Sequence, residues 1–314
     1  MRVDVGAAPR LTENDRLYDA LRSRDRRFDG VFFVGVRTTR IYCRPICRVR
    51  VPKAMNCTFY DSAAAAERDG YRPCLLCRPE RSPGTSRMDA TSRLATAAFA
   101  RITHGALNEG TIEQLASDLC IGERQLRRAF QAEFGVSPVQ LAQTQRLLLA
   151  KQLLMETDLP VSRIAYASGF GSLSRFNTLF QQRYRLSPTR LRRERRDAAE
   201  RGIRLLLGYR PPFAWTHLLS FFAARAMTGV EHVDATSYTR TLRVGEHTGW
   251  ITVRHVPQQS ALSVEIAESL LPVLMQVRAA VRTMFDLDAQ PDGIAAQISS
   301  HPGIARVAAD QPGL

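Results

Sequence analysis

The chain has 314 residues, a formal net charge of +14 and six cysteines, which is too long for one ordinary core, so two or three domains are expected. No apolar run is long enough to span a bilayer, and "MRVDVGAAPRLTENDR" lacks the apolar core of a signal peptide, so the expectation is a cytoplasmic protein with no membrane partner. The basic excess is mostly Arg and favours an anionic partner, with nucleic acid first, over a basic surface of no specific role; the cysteines then read as free thiols or metal ligands, not disulfides.

Residues 1–82 are rich in Arg, Cys and aromatics. "IYCRPICRVR" carries Cys43 and Cys47, and "RPCLLCRPE" carries Cys74 and Cys77. Close pairs of this kind are natural zinc chelators, because each can place two thiolates on one tetrahedral ion. Spacing alone leaves open whether the site is a closed structural clip or a reactive centre. Arg40, Arg44, Arg48 and Arg50 flank the first pair, and Arg72 and Arg78 the second. They suit two tasks: offsetting the charge of about −2 on a tetrathiolate zinc, and binding phosphate. Cys57, in the strand-like "CTFY", and Cys120, at the end of a helix, have no partner at ligand spacing and read as structural, Cys120 as buried.

"RSPGTSRMDATS" is polar and turn-rich, and places a linker at 83–91. Residues 92–196 are helical in pattern and carry an internal repeat. "GERQLRRAFQAEFGVSP" and "SLSRFNTLFQQRYRLSP" align 50 residues apart, so that Leu126 matches Phe176, Phe130 matches Phe180 and Pro138 matches Pro188. Each copy follows a short helix, "TIEQLASDLC" or "VSRIAYASGF". Thr111 is placed to cap the first of these, and Gly122 and Ser172 the longer helices behind them. "LAQTQRLLLAKQLLMET" is one long helix joining the copies. "RLRRERRDAAERGIR" is a solvated helix or linker with nonspecific attraction for phosphate.

From Ile203 the texture changes. "YRPPFAWTHLLSFFAARAMTGVEHV" opens with a Pro-Pro turn and an apolar helix, and "SYTRTLRV", "GWITVRHV" and "ALSVEIA" alternate as antiparallel strands. "LPVLMQVRAAVRTMFDLD" closes with an amphipathic helix whose Val273, Val277 and Val281 share one face. The expected fold is a multidomain α+β chain: a small zinc-bound α+β domain, an all-α double helix-turn-helix domain, and a C-terminal antiparallel sheet with covering helices.

Three resemblances rest on these residues. "VRTTRIYCRPICRVR" with "FYDSAAAAERDGYRPCLLCRPE" resembles the amino-terminal domain of the Ada family. The resemblance implies a zinc-bound suicide methyltransferase acting on methylphosphotriesters in DNA, with Cys43 the acceptor and Cys47, Cys74 and Cys77 the other ligands of Zn2+. The repeat resembles the AraC-type DNA-binding domain, which lays two recognition helices into successive major grooves. That implies double-stranded DNA, alkylated or promoter, as partner, and RNA polymerase as a further one. Arg124, Arg127 and Arg128 in the first copy, and Ser174, Arg175, Asn177 and Thr178 in the second, take the positions that face DNA, alongside Arg40, Arg44, Arg48 and Arg72 near the zinc site. "PPFAWTHLLSFFAARA" and "MFDLDAQP", within 203–314, resemble the amino-terminal domain of 3-methyladenine DNA glycosylase II (AlkA type). The hairpin-helix-hairpin and catalytic aspartate of that family would lie beyond "ADQPGL", so base excision by this chain alone is not expected. The leading expectation is an alkylation-response methyl acceptor and regulator; its rivals are a transcription factor with a structural zinc and a glycosylase-type repair protein.

Overall fold

The computed structural model describes residues 13–83, 93–193 and 203–298. The linker residues 84–92, most of "RERRDAAERG" and the "HPGIARV" segment lie outside them.

After a first helix, α1 (Glu13–Ser23), a four-stranded sheet forms from β1 (Phe33–Val36), β2 (Ile41–Cys43), β3 (Cys57–Tyr60) and β4 (Arg72–Pro73), in the order β3-β1-β2-β4. The turn after β1 is closed by Thr39 and Arg40, whose N–H groups both return to the Val36 carbonyl. Helix α2 (Ala63–Arg68) starts at Ser62, whose hydroxyl accepts the Ala65 N–H. The short parallel pairing of β2 with β4 sets Tyr42 opposite Pro73. One residue beyond that pair on each strand stand Cys43 and Cys74, so the sheet itself brings the two cysteine motifs together.

The middle of the chain is helical: α3 (Arg93–Thr103), α4 (Ala106–Glu109), α5 (Ile112–Asp118), α6 (Glu123–Phe134), α7 (Pro138–Glu156), α8 (Val161–Ala167), α9 (Leu173–Tyr184) and α10 (Pro188–Arg193). Thr111 with Gln114, and Ser137 with Gln140, form reciprocal capping boxes that start α5 and α7. Gly122 and Ser172 occupy the caps of α6 and α9, as the repeat requires, but only Ser172 caps with its side chain, whose hydroxyl accepts the Arg175 N–H. Leu126 and Phe130 in one copy, and Phe176 and Phe180 in the other, are fully buried. Twelve of the nineteen residues of α7 are buried. Leu147 to Leu154 are buried without a break, as befits a helix packed all round.

The third part is a five-stranded antiparallel sheet, β5 (Ile203–Gly208), β6 (Glu231–Val233), β7 (Ser237–Val244), β8 (His247–Val256) and β9 (Ala261–Ile266), in the order β5-β9-β8-β7-β6. Helices α11 (Trp215–Ala223), α12 (Leu274–Met284) and α13 (Pro291–Ile298) accompany it. β5 is an element the sequence pattern did not isolate. Its "IRLLLG" merges with the apolar helix that follows, yet its residues alternate buried and half-buried along the edge of the sheet.

The three parts share cores. Phe33, Tyr42, Tyr60 and α2 pack with α3, α5 and α6, while α7 packs against β5 and buried residues of α7, α8 and α9 join one core with the C-terminal sheet. Among the described residues no helix is long and apolar enough to cross a membrane.

Candidate metal centre and nucleic-acid interface

The sulfurs of Cys43, Cys47, Cys74 and Cys77 all lie within 4.8 Å of one another. A tetrahedral zinc with bonds of about 2.3 Å holds its sulfurs about 3.8 Å apart, so four such ligands fit one ion. Without a cation, thiols this close share protons. Hydrogen bonding among the sulfurs drives Cys74 down and Cys43 up, while burial drives Cys77 up. A divalent cation replaces those protons and satisfies all four donors at once.

The surroundings of the four sulfurs differ. Cys77 accepts the Arg44 backbone N–H at 3.3 Å. Among the described residues this is the one backbone hydrogen bond to a sulfur of the cluster.

The flanking arginines divide into two sets. Arg40, at the β1–β2 turn, is exposed; its guanidinium lies 4.9 Å from the Tyr71 ring centre and donates to the Asp69 carbonyl at 3.2 Å. Arg48 and Arg50 are exposed and Arg72 is half-buried on β4. Arg44 corrects the expectation of a phosphate-binding residue. It is 8% exposed, and its Nε donates to Asp29 at 2.7 Å while Nη1 donates to the Cys77 carbonyl at 3.1 Å. A bidentate partner turned inward outweighs solvation of the guanidinium. Arg78 is likewise committed, to Glu80 and Glu156, both at 2.9 Å.

Beneath the cysteines lies a buried ionic layer that sequence reasoning missed. Lys151 of α7 is 0% exposed, donates to the Cys74 carbonyl at 3.3 Å and pairs with Glu80. Burial opposes ionisation of Glu80, but Lys151 and Arg78 overcome it and hold its carboxyl at about 2. Glu67 of α2 forms a second node: it accepts from Tyr42 at 3.0 Å and from Thr144 of α7 at 2.9 Å, and pairs with Arg183 of α9 at 3.0 Å. Burial raises the Glu67 carboxyl, and Arg183 partly opposes that rise. A lone lysine inside "LLLAKQLL" was the signal for the first node.

On the helical part, Arg124, Arg127 and Arg128 of α6, and Ser174, Arg175, Asn177 and Thr178 of α9, are all exposed. Arg127 makes an exposed i,i+4 pair with Glu123, an interaction of little strength. Cys120 corrects another expectation: it is exposed. It holds the left-handed turn position of the first copy (φ 55°), where Gly169 (φ 83°) stands in the second; the next residue returns its N–H to Ala116 in one copy and to Ala165 in the other. Its side chain therefore projects from a turn instead of ending a packed helix. Cys57 is half-buried on β3.

A zinc-type cysteine cluster joined to paired helix-turn-helix units defines a class, and comparison with known families identifies it. The metal binding domain of Ada matches residues 16–80, a helix-turn-helix domain matches 115–194, and the AlkA N-terminal domain matches 204–314. The chain belongs to the Ada-type family of bifunctional transcriptional activators and DNA repair enzymes. Its relatives include the bifunctional transcriptional activator/DNA repair enzyme AdaA of Bacillus subtilis, 30% identical over 57% of this chain and 82% of that protein. The probable bifunctional transcriptional activator/DNA repair enzyme AlkA of Mycobacterium tuberculosis is 35% identical over 95% of this chain, which spans 61% of that relative's length. The crystal structure of the methylated N-Ada/DNA complex is 32% identical, covering 42% of this chain and 96% of that one, with a TM-score of 0.22. Zinc is the cofactor that this family and this four-cysteine cluster define.

Proposed function

We propose that the chain takes a methyl group from a methylphosphotriester in DNA onto the sulfur of Cys43, and binds promoter DNA through its helix-turn-helix pair as a transcriptional regulator. The division of labour is residues 1–82 for methyl acceptance, 92–196 for DNA reading and 203–314 as an AlkA-type domain. The observation that carries the reading is the convergence of four cysteine sulfurs within 4.8 Å of one another in the segment that matches the metal binding domain of Ada, with Cys43 at the acceptor place of that motif.

Bound zinc would keep all four sulfurs deprotonated at neutral pH. The sulfur of Cys43 attacks the methyl carbon in line. An S–C bond forms, the C–O bond to the triester breaks, and its electron pair leaves on the phosphate oxygen. The phosphate thus regains one negative charge, which Arg40, Arg48 and Arg72 are suited to offset. The product is a thioether at Cys43, so each chain reacts once. Cys47, Cys74 and Cys77 hold the site throughout.

DNA reading falls to Arg124, Arg127 and Arg128 of α6 and to Ser174, Arg175, Asn177 and Thr178 of α9, divided between base edges and phosphates. RNA polymerase is the further partner that activation of transcription needs. Methylation removes one negative charge from the centre and with it some repulsion of DNA, which couples repair to regulation. The test is intact-mass analysis after incubation with an oligonucleotide carrying one methylphosphotriester. One methyl is gained per chain, and none is gained by Cys43→Ser that still holds zinc. Absence of any gain in the zinc-loaded wild type leaves the cluster a structural clip.

A further inference from the structure

Among the contacts between the C-terminal domain and the cysteine-bearing part, one is made by a buried arginine. Arg210 stands two residues beyond β5 and is 2% exposed. Its Nε donates to the Asp29 carbonyl, in the cysteine-bearing part, at 2.9 Å. Its Nη1 donates within its own domain, to the carbonyls of Asp288 at 2.8 Å and Ala289 at 3.0 Å. A guanidinium holds these three carbonyls from one rigid fork of donors.

Asp29, itself 4% exposed, passes the constraint on. Its carboxylate holds both Nε and Nη2 of Arg44, and the Ser82 hydroxyl donates to it at 3.3 Å. Arg44 then makes the two contacts with Cys77 already described, one of them to the sulfur. Three residues, Arg210, Asp29 and Arg44, thus connect the C-terminal domain to a metal ligand, Cys77. The backbones close in at the same junction. A Cβ on Gly30 would stand 2.0 Å from the Pro83 carbonyl oxygen, and one on Gly208, at the end of β5, 2.2 Å from that of Arg81. Only glycines admit residues 81–83 this close between the two parts.

The geometry points to Arg210 as a positioning residue for the metal centre, and to the AlkA-type domain as its brace in cis. Through Asp29 it holds Arg44 so that the N–H stays on the Cys77 sulfur, which quiets Cys77 relative to Cys43. The domain so acts on the selectivity of the cysteine cluster without taking part in base excision. For its kinetic arm this rests on the methyl-acceptor reading; for its structural arm it does not.

The test uses the full zinc-loaded chain, with Arg210→Lys and Arg210→Met as variants. Leu219→Ala serves as control, since it opens the core of the same domain but belongs to none of these contacts. Hydrogen exchange at the Arg44 amide is the structural readout. Methyl iodide is the chemical probe: the S–CH3 bond forms, the C–I bond breaks and iodide leaves, with no DNA required. Peptide mapping then shows which sulfur carries the methyl. With zinc content kept, Arg210→Lys is expected to speed Arg44 exchange about tenfold and to raise the share of methyl on Cys77 several-fold, since small losses of alignment are costly at reacting atoms. Leu219→Ala should move neither. Unchanged exchange and unchanged selectivity in a folded Arg210→Lys protein would overturn the proposal. So would an equal response from Leu219→Ala, because the effect would then be general destabilisation. If Arg210→Met does not fold, Arg210→Lys alone decides. Failure of methylphosphotriester DNA to react with the wild type, with the Arg44 exchange response intact, would remove the methyl-acceptor reading and leave the brace.

Discussion

Replacing Lys151 by Met keeps the length of the side chain and removes its charge from the most enclosed ion pair among the described residues. Lys151 and Glu80 are both buried, and Glu80 keeps Arg78 at 2.9 Å after the change. Breaking a buried pair by removing one partner costs about 3–5 kcal/mol. The remaining Arg78 lowers that figure. A carboxyl held at about 2 instead of 4.5 reports about 3 kcal/mol of net favourable interaction, of which Lys151 supplies the larger charge contribution, so a loss of about 2 kcal/mol is expected. The folded state holds Glu80 unprotonated where the unfolded state does not, between about 4.5 and 2. Wild-type stability from this group is therefore complete above pH 4.5 and is lost as the pH falls toward 2; in the variant the folded carboxyl lies closer to its unfolded value, so less stability is lost over that range. Urea unfolding of the zinc-loaded chain at pH 7 and pH 4, followed by release of zinc, measures both effects. The double variant Lys151→Met/Glu80→Leu should recover most of the loss, because no uncompensated charge remains. A single variant within 0.5 kcal/mol of wild type (roughly the scatter expected of surface substitutions), or a double variant no better than the single, would refute the reasoning.

Other expectations follow from the same geometry. Phe130→Ala and Phe176→Ala each empty a fully buried site in one helix-turn-helix copy; each should cost about 3–5 kcal/mol in thermal or urea unfolding and weaken specific DNA binding. Arg124→Ala or Arg128→Ala should reduce the slope of log affinity against log salt by about one if the residue lies on phosphate, whereas loss of preference at one base pair with an unchanged slope marks base reading; competition binding at several salt concentrations separates the two. Removal of zinc by a chelator should release the Arg44 amide to rapid exchange and abolish methyl acceptance, and zinc affinity should fall with acid as protons compete for the sulfurs, measured by hydrogen exchange and metal competition. Cys120→Gly in the left-handed turn should be neutral or slightly stabilising, since Gly169 holds the equivalent place; a loss above 1 kcal/mol in unfolding would contradict the turn assignment.

Local sequence carried much of this molecule. The 50-residue repeat placed Leu126, Phe130, Phe176 and Phe180 in the core, and the capping residues marked helix starts, because both signals arise within a single turn or face. The two cysteine pairs pointed to one metal, since a tetrahedral ion needs four ligands wherever the chain brings them from. What stayed hidden depends on contacts distant in sequence. Arg44 looks like its neighbours Arg40 and Arg48, and only Asp29, fifteen residues away, turns it inward. Glu67 and Glu80 resemble solvated surface acids until α7 and α9 close over them. β5 was masked because an edge strand and an apolar helix in succession read as one hydrophobic run. Cys120 was misplaced because a helix end and a turn differ by one backbone angle that a cysteine does not announce.

The account turns on one sulfur among four. The measurement that tests it most directly is peptide mapping of the zinc-loaded chain after stoichiometric reaction with methylphosphotriester DNA. A single methyl on the Cys43 peptide, with Cys47, Cys74 and Cys77 unmodified, is the predicted result. Methyl on any of the other three, or none at all in protein that retains its zinc, would contradict it.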